Sequence, residues 1–288
     1  MKFIQYKQKN SLQIGILHTP QNKISPIQWK NNTPIKNMLS LINNFTHDNI
    51  TILHDQTIEL STVQICSPIT HPKHDVICIG LNYKEHADEA NNSIDFQKSP
   101  NNDSAVYFSK RANRILGSGE EVKGIFEIDP KMDYETELAV VIGKTAHKVG
   151  KEDVEKYIFG YSILNDFSSR GLQSKHKQWY LGKSVDNYTV MGPCIVSRDE
   201  FSFPLSLELR GYVNGELRQK SNTANMIWDI STIISELSEV ITLEPGDIIA
   251  TGTPSGVGMG FVPPRYLRAG DLVCCEIEGI GVLESRIV

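Results

Sequence analysis

The 288-residue chain carries 34 acidic and 29 basic side chains, a formal charge of −5 at neutral pH, which excludes the strongly basic surface of a typical nucleic-acid binder. Hydrophobic residues make up 40% and charged residues 22%, the composition of a globular protein and not of a disordered or fibrous one. That length accommodates one large domain, or a large domain with a small companion.

In chain order, the first 70 residues are Asn-rich, with a short apolar run at 12–17, a helical pattern near 35–45 and scattered prolines. We expect a small β-rich N-terminal unit, 1–70, and a main domain, 71–288, divided where SPITHPKH (67–74) interrupts the pattern. Beyond it, 76–79 reads as a buried strand and 82–90 as a helix. Further strands are expected at 105–108, 138–142, 161–164, 205–213, 247–250 and 271–277, with helices at 152–157 and 229–240. Asn214 and Gly215 supply the positive φ angles of a two-residue hairpin. The fold class is therefore mostly β with a few helices (α+β), and the βαβ alternation of a doubly wound sheet is missing.

The longest apolar-looking stretch without a charged residue, 248–264, contains four glycines and three prolines, and a spanning helix needs about 20 mainly apolar residues. The first ten residues, MKFIQYKQKN, do not read as a secretory leader. We expect a cytoplasmic protein with neither membrane nor nucleic-acid partners. The cysteines, Cys66, Cys78, Cys194, Cys274 and Cys275, form no metal or redox spacing and read as buried thiols.

Nucleotide and serine-hydrolase motifs fail on spacing. The Gly-Lys pairs at 143–144 and 182–183 lack the glycine five residues earlier, and the glycines at 256, 258 and 260 do not match a dinucleotide fingerprint. No GxSxG elbow is centred on Ser118 or Ser255. Three groups remain. Glu135 and Glu137 alternate at a strand entrance and share one face; either water screens them or a hard cation neutralises them. Asp166 closes another apolar strand and would complete a three-carboxylate site. His86 and Glu89 are three apart on one helix face, a spacing that is equally a solvated surface pair or an oriented general base. Lys110, Arg170 and Lys183, each beside a strand end or an acid, with Gln173 at helical spacing from Arg170, would bind a carboxylated substrate and stabilise an oxyanion. Thr253 would add a hydroxyl.

The segments GLNYKEHADEA, MDYETELAVVIGK, GYSILNDFSSRGLQ, KQWYLGKSVDNYTVMGP, VNGELRQKSNT and LEPGDIIATGTPSGVG occur in the order expected of the fumarylacetoacetate hydrolase superfamily, which the chain resembles from about residue 75 to 288. The resemblance implies a β-roll catalytic domain, a homodimer and a bound Mg²⁺ or Mn²⁺, with Ca²⁺ also accepting such ligands. By motif, it implies Glu135, Glu137 and Asp166 as metal ligands and His86 with Glu89 as the water-activating dyad. It places Lys183, Arg170, Gln173 and Thr253 toward substrate. The longer fumarylacetoacetases carry a further aspartate ligand seven residues before the histidine, where this chain has Ile79. The resemblance is therefore to the shorter branch. It implies a small 2-oxo acid as substrate, through hydrolysis of acylpyruvates or decarboxylation of oxaloacetate. Isomerisation of unsaturated dioic 2-oxo acids and an inactive, oxoacid-binding protein are the alternatives. Loops 91–103 and 262–268 are expected to border the substrate.

Overall fold

The computed structural model describes residues 1–9, 11–93 and 104–288, so most of the loop expected over 91–103 lies outside the described residues. The N-terminal part contains β1 (Lys2–Gln8), β2 (Ser11–His18), β3 (Lys23–Trp29), α1 (Met38–Asn44), β4 (Ile50–Ile52), β5 (Ile58–Glu59) and β6 (Gln64–Cys66). After it come β7 (Val76–Gly80), α2 (Lys84–Asn92), β8 (Val106–Lys110), β9 (Glu121–Val122), β10 (Met132–Asp133), β11 (Thr136–Ile142), β12 (Ile158–Asp166) and β13 (Ser168–Ser169). The chain continues through α3 (Arg170–His176), α4 (Tyr180–Lys183), β14 (Thr189–Ser197), β15 (Glu208–Val213), β16 (Glu216–Asn222), α5 (Ile230–Val240), β17 (Ile248–Ala250), β18 (Leu272–Ile277) and β19 (Gly281–Ile287). The fold is α+β and dominated by strands. Among the described residues no helix is long and apolar enough to cross a membrane.

The large sheet runs β4-β3-β2-β1-β14-β12-β11-β17-β7-β8, with β5 on β3 and β6 on β1. A second sheet runs β16-β15-β18-β19-β9. The side-chain period of two explains how they pack. Leu138, Val140 and Ile142 of β11 meet Leu209, Val273 and Leu283 of the second sheet, while Ala139, Val141 and Leu164 face the opposite way, into a cluster with Phe3, Met38 and Leu41. Strands β11, β12 and β14 are buried along their whole length, because both faces of the large sheet are covered. This is also why β14 was not recognisable: TVMGPCIVS has no alternation, and its Gly-Pro pair reads as a break. Strand β19 was likewise not expected.

The remaining expectations shift by a few residues. The helix at 152–157 is a 3-10 turn, Lys151–Tyr157, and the strand over 205–213 begins only at Glu208. Asp229 caps α5 through Thr232 N at 2.7 Å. Asn214 (φ 52°) and Gly215 (φ 81°) form the hairpin turn between β15 and β16.

The boundary expected at residues 70–71 falls between β6 and β7, yet the sheet continues across it. β1 pairs with β14, Phe3 opposite Ile195, and the fully buried Phe3 ring lies 5.2 Å from Phe45 and 5.4 Å from Phe159. Phe3→Ala should therefore cost about 3–5 kcal/mol and lower the urea midpoint of the whole protein. Tryptophan fluorescence, which includes Trp29, and far-ultraviolet dichroism should follow one coincident transition. A separate early transition of the N-terminal strands would contradict this.

Candidate metal and acid-base centre

The antiparallel pairing of β11 and β12 builds the acidic centre. Glu137 lies opposite Leu164, and Asp166 N donates to Glu135 O at 3.0 Å, so the start of one strand meets the end of the other. Strand alternation puts Glu135 and Glu137 on the Ala139 and Val141 side, and Asp166 on the Leu164 side of its own strand, which is the same face. One oxygen from each of the three carboxylates lies within 4.8 Å of the others. All three residues are buried, Asp166 completely.

Cations surround them. From α4, Lys183 Nζ lies 2.5 Å from Glu135 Oε2 and 2.7 Å from Asp166 Oδ2, and 5.2 Å from the centre of the Phe108 ring. Arg170, at the start of α3, donates from Nε to Asp133 Oδ2 (2.9 Å) and from Nη1 to Gln173 Oε1 (3.0 Å), and its Nη2 lies 2.8 Å from Glu135 Oε1. Lys110 occupies a different place from the one expected of a substrate-facing group. It is fully buried, 2.6 Å from Asp166 Oδ1, and donates to the carbonyls of Phe167 (2.9 Å) and Lys183 (2.5 Å). Its ammonium is thus committed to two carbonyls by hydrogen bonds and to Asp166 by an ion pair, holding that acid and the end of α4.

Four buried acids, Asp133, Glu135, Glu137 and Asp166, therefore face three buried cations, Lys110, Arg170 and Lys183. The surplus falls on Glu137, which accepts from Gly252 N at 2.9 Å and makes no ion pair among the described residues. Burial, then Asp166 and Glu135, push its carboxyl well above the usual carboxylate range. Glu135 goes the other way: burial alone would raise it, but Lys183 and Arg170 outweigh burial and hold it at about 2. Lys183 is disfavoured by burial but raised on balance by Asp166 and Glu135. A hard divalent cation, which takes carboxylate oxygens and retains water positions, fits this donor set and would supply the missing positive charge.

His86 and Glu89 stand on the next element. Parallel pairing of β7 with β17 places the end of β7 beside residues 251–254. There Leu81 takes a positive φ of 56°, and Asn82 fixes the turn, donating to Thr251 O (2.8 Å) and Trp228 O (3.0 Å) and accepting from Trp228 N (2.7 Å). Helix α2 follows. His86 Nδ1 lies 3.1 Å from Glu89 Oε2, and Glu89 Oε1 accepts from Gly256 N at 2.9 Å. In the neutral imidazole, a carboxylate acceptor at Nδ1 selects the tautomer with its N–H on Nδ1 and its lone pair on Nε2.

His86, Glu135, Glu137, Arg170, Gln173, Lys183 and Thr253 line one cleft, with Ile79, Phe108, Trp179 and Met259 among its apolar walls. Lys110 and Glu89 stand behind that lining. The Thr253 hydroxyl is spent on the scaffold: it donates to Thr136 O (3.0 Å) and accepts from Gln219 Nε2 (2.8 Å). Sequence reasoning missed Asp133, Asn82 and Gln219. Asp133 had a signal, since it extends the alternation of Glu135 and Glu137 by one more acid on the same side.

A family model described as "Fumarylacetoacetate (FAA) hydrolase C-terminal" matches residues 75–288. Oxaloacetate tautomerase YisK of Bacillus subtilis (strain 168) is 45% identical over 228 residues, 79% of this chain and 74% of the relative. Among solved structures, the fumarylacetoacetate hydrolase of psychrophilic Exiguobacterium antarcticum superposes with a TM-score of 0.83 at 34% identity, covering 100% of this chain and 99% of that one. Maleylpyruvate hydrolase of Sphingobium sp. SYK-6, a complex with manganese(II) and pyruvate, does so at 0.75 and 27%, covering 100% and 99%. The ordered motifs, the rolled sheets and these likenesses agree: the chain belongs to the fumarylacetoacetate hydrolase family.

Proposed function

We propose that the protein is a divalent-metal-dependent enzyme that forms and reprotonates the enolate of a small 2-oxo acid, with keto–enol interconversion of oxaloacetate as its first reaction. One observation carries the reading: Glu137 is buried without a cationic partner beside Glu135 and Asp166. Those three carboxylates would hold Mg²⁺ or Mn²⁺, which when bound polarises the carbonyl of a chelating 2-oxo acid. The remaining steps belong to the chain. Arg170, Gln173 and Lys183 orient the substrate carboxylate. His86 Nε2 takes the proton from the carbon next to the 2-keto group and delivers it to the enolate oxygen, the reverse reaction moving the enol O–H proton back to that carbon, with Glu89 steadying the imidazolium. Lys183 lends positive charge to the enolate oxygen. The activity of the 45%-identical relative supports this choice.

C–C hydrolysis of an acylpyruvate is the second reading, favoured by the apolar wall of Phe108, Trp179 and Met259, which suits an acyl tail. There His86 would deprotonate water instead of carbon. Decarboxylation of oxaloacetate would use the same enolate.

Oxaloacetate and acetylpyruvate, followed by ¹H NMR with Mn²⁺ and with chelator, separate these reactions. Tautomerisation speeds the return of a displaced keto–enol ratio to equilibrium without fragments, hydrolysis yields two fragments, and decarboxylation yields pyruvate. The proposal requires chelator-sensitive turnover that His86→Ala lowers by about 10²–10⁴-fold while Mn²⁺ binding persists; no turnover with any metal contradicts it.

A proton on Glu137 must leave before a cation enters. Mn²⁺ affinity should therefore rise with pH, about tenfold per unit below the raised titration of Glu137, and level off above it. Titration calorimetry in buffers of different ionisation enthalpy should count about one proton released per ion at low pH. Glu137→Gln should weaken binding by about 100-fold or more and abolish that proton release; pH-independent binding would exclude the assignment.

A further inference from the structure

The glycine-rich segment 256–260, rejected as a nucleotide motif, is built around two carboxylates from opposite sides of the cleft. Gly256 N donates to Glu89 Oε1 at 2.9 Å, Gly258 N to Asp133 Oδ1 at 2.6 Å and Met259 N to Asp133 Oδ2 at 3.0 Å. The same Glu89 holds His86, and the same Asp133 holds Arg170. Tyr134 closes the arrangement through its hydroxyl to Gly256 O at 2.8 Å. The apolar side of the contact is a small cluster of Leu81, Ala87, Ala90, Val257 and Met259, separate from the main core.

The carboxylates account for two of the three glycines, Asp133 together with the Arg265 carbonyl for Gly258 and Glu89 for Gly260. Gly256 needs its positive φ of 99°. Gly258 and Gly260 have no such φ among the backbone's left-handed residues, so their conformations suit alanine. What excludes a side chain is space: a Cβ at Gly258 would come 2.6 Å from Asp133 Oδ1, and one at Gly260 1.9 Å from Glu89 Oε1.

We propose that residues 256–260 are a positioning strut, gripped by Glu89 at Gly256 and by Asp133 at Gly258 and Met259, which fixes the His86 imidazole relative to Arg170 and the acidic triad. Glu89 and Asp133 thereby act as positioning residues, and Gly260 leaves the room that Glu89 needs. The catalytic consequence rests on the proposed role of His86, but the geometry does not.

Gly260→Ala is the test, because the three atoms nearest to its methyl all belong to the flexible Glu89 side chain and the fold can survive. ¹⁵N NMR of the full-length protein should show the His86 Nδ1–H fixed in the wild type and lost in Gly260→Ala. The variant's kcat should fall at least tenfold, with KM and the Mn²⁺ Kd within about twofold of wild type. Adding Glu89→Asp, one methylene shorter, should restore part of the rate and the Nδ1–H signal, which a general loss of stability would not do. An unchanged His86 signal in Gly260→Ala overturns the strut, as does an unchanged kcat despite a displaced imidazole. A wild type with no 2-oxo acid turnover would refute the proposed function, and the His86 signal would still decide the strut.

Discussion

The site is organised by the cost of burying like charge. Asp133, Glu135, Glu137 and Asp166 are all removed from water, and an unpaired buried carboxylate is costly enough to be neutralised or paired. Much of the surrounding structure follows from that requirement. Lys110 commits its ammonium to the neighbourhood of Asp166. Helix α3 begins where Asp129 accepts from Gly171 N (2.8 Å) and Leu172 N (3.2 Å), which sets Arg170 between Asp133 and Glu135. Helix α4 is a single turn whose last residue, Lys183, bridges Glu135 and Asp166. Three cations leave one carboxylate uncompensated, and that imbalance makes the centre receptive to a metal ion.

The sheets supply the rigidity such a centre needs. Glu137 is fixed from β11, its backbone donor partner Gly252 follows β17, and Asp166 ends β12. All three strands are covered on both faces, so the carboxylates stand on backbone that cannot relax apart without opening the core. The second sheet reaches the same place through Gln219, which accepts from Thr136 N and donates to Thr253 and Pro254. His86 stands on less buried ground, on a helix joined to the core through Asn82 and through the glycine-rich strut. The centre thus combines an acidic floor fixed by the sheet with an imidazole held from a separate helix.

Much of this was legible because strand alternation is a local property. Glu135 and Glu137 had to share a face once 138–142 was read as a strand, and His86 and Glu89 had to meet once 82–90 was read as a helix. The strands that carry no period, β14 above all, were invisible because burial on both faces erases alternation. Lys110 and Thr253 show the other limit. Their residue types suit substrate binding, but whether a donor faces the cleft or the scaffold depends on tertiary partners, here Asp166 and two carbonyls for Lys110, and Thr136 and Gln219 for Thr253. Gly258 and Gly260 have the same lesson: the space they leave is taken by Asp133 and Glu89, carboxylates more than a hundred residues away.

We propose that Glu135, Glu137 and Asp166 would hold a divalent cation to which a 2-oxo acid chelates. Electron paramagnetic resonance of Mn²⁺ bound to the protein, recorded with pyruvate labelled with ¹⁷O in its carboxylate and keto group, tests it directly. The account predicts a bound Mn²⁺ signal whose lines broaden with the labelled pyruvate, and loss of that bound signal in Glu137→Gln. Lines unaffected by the label would contradict chelation, and tight Mn²⁺ binding retained in the variant would contradict the site itself.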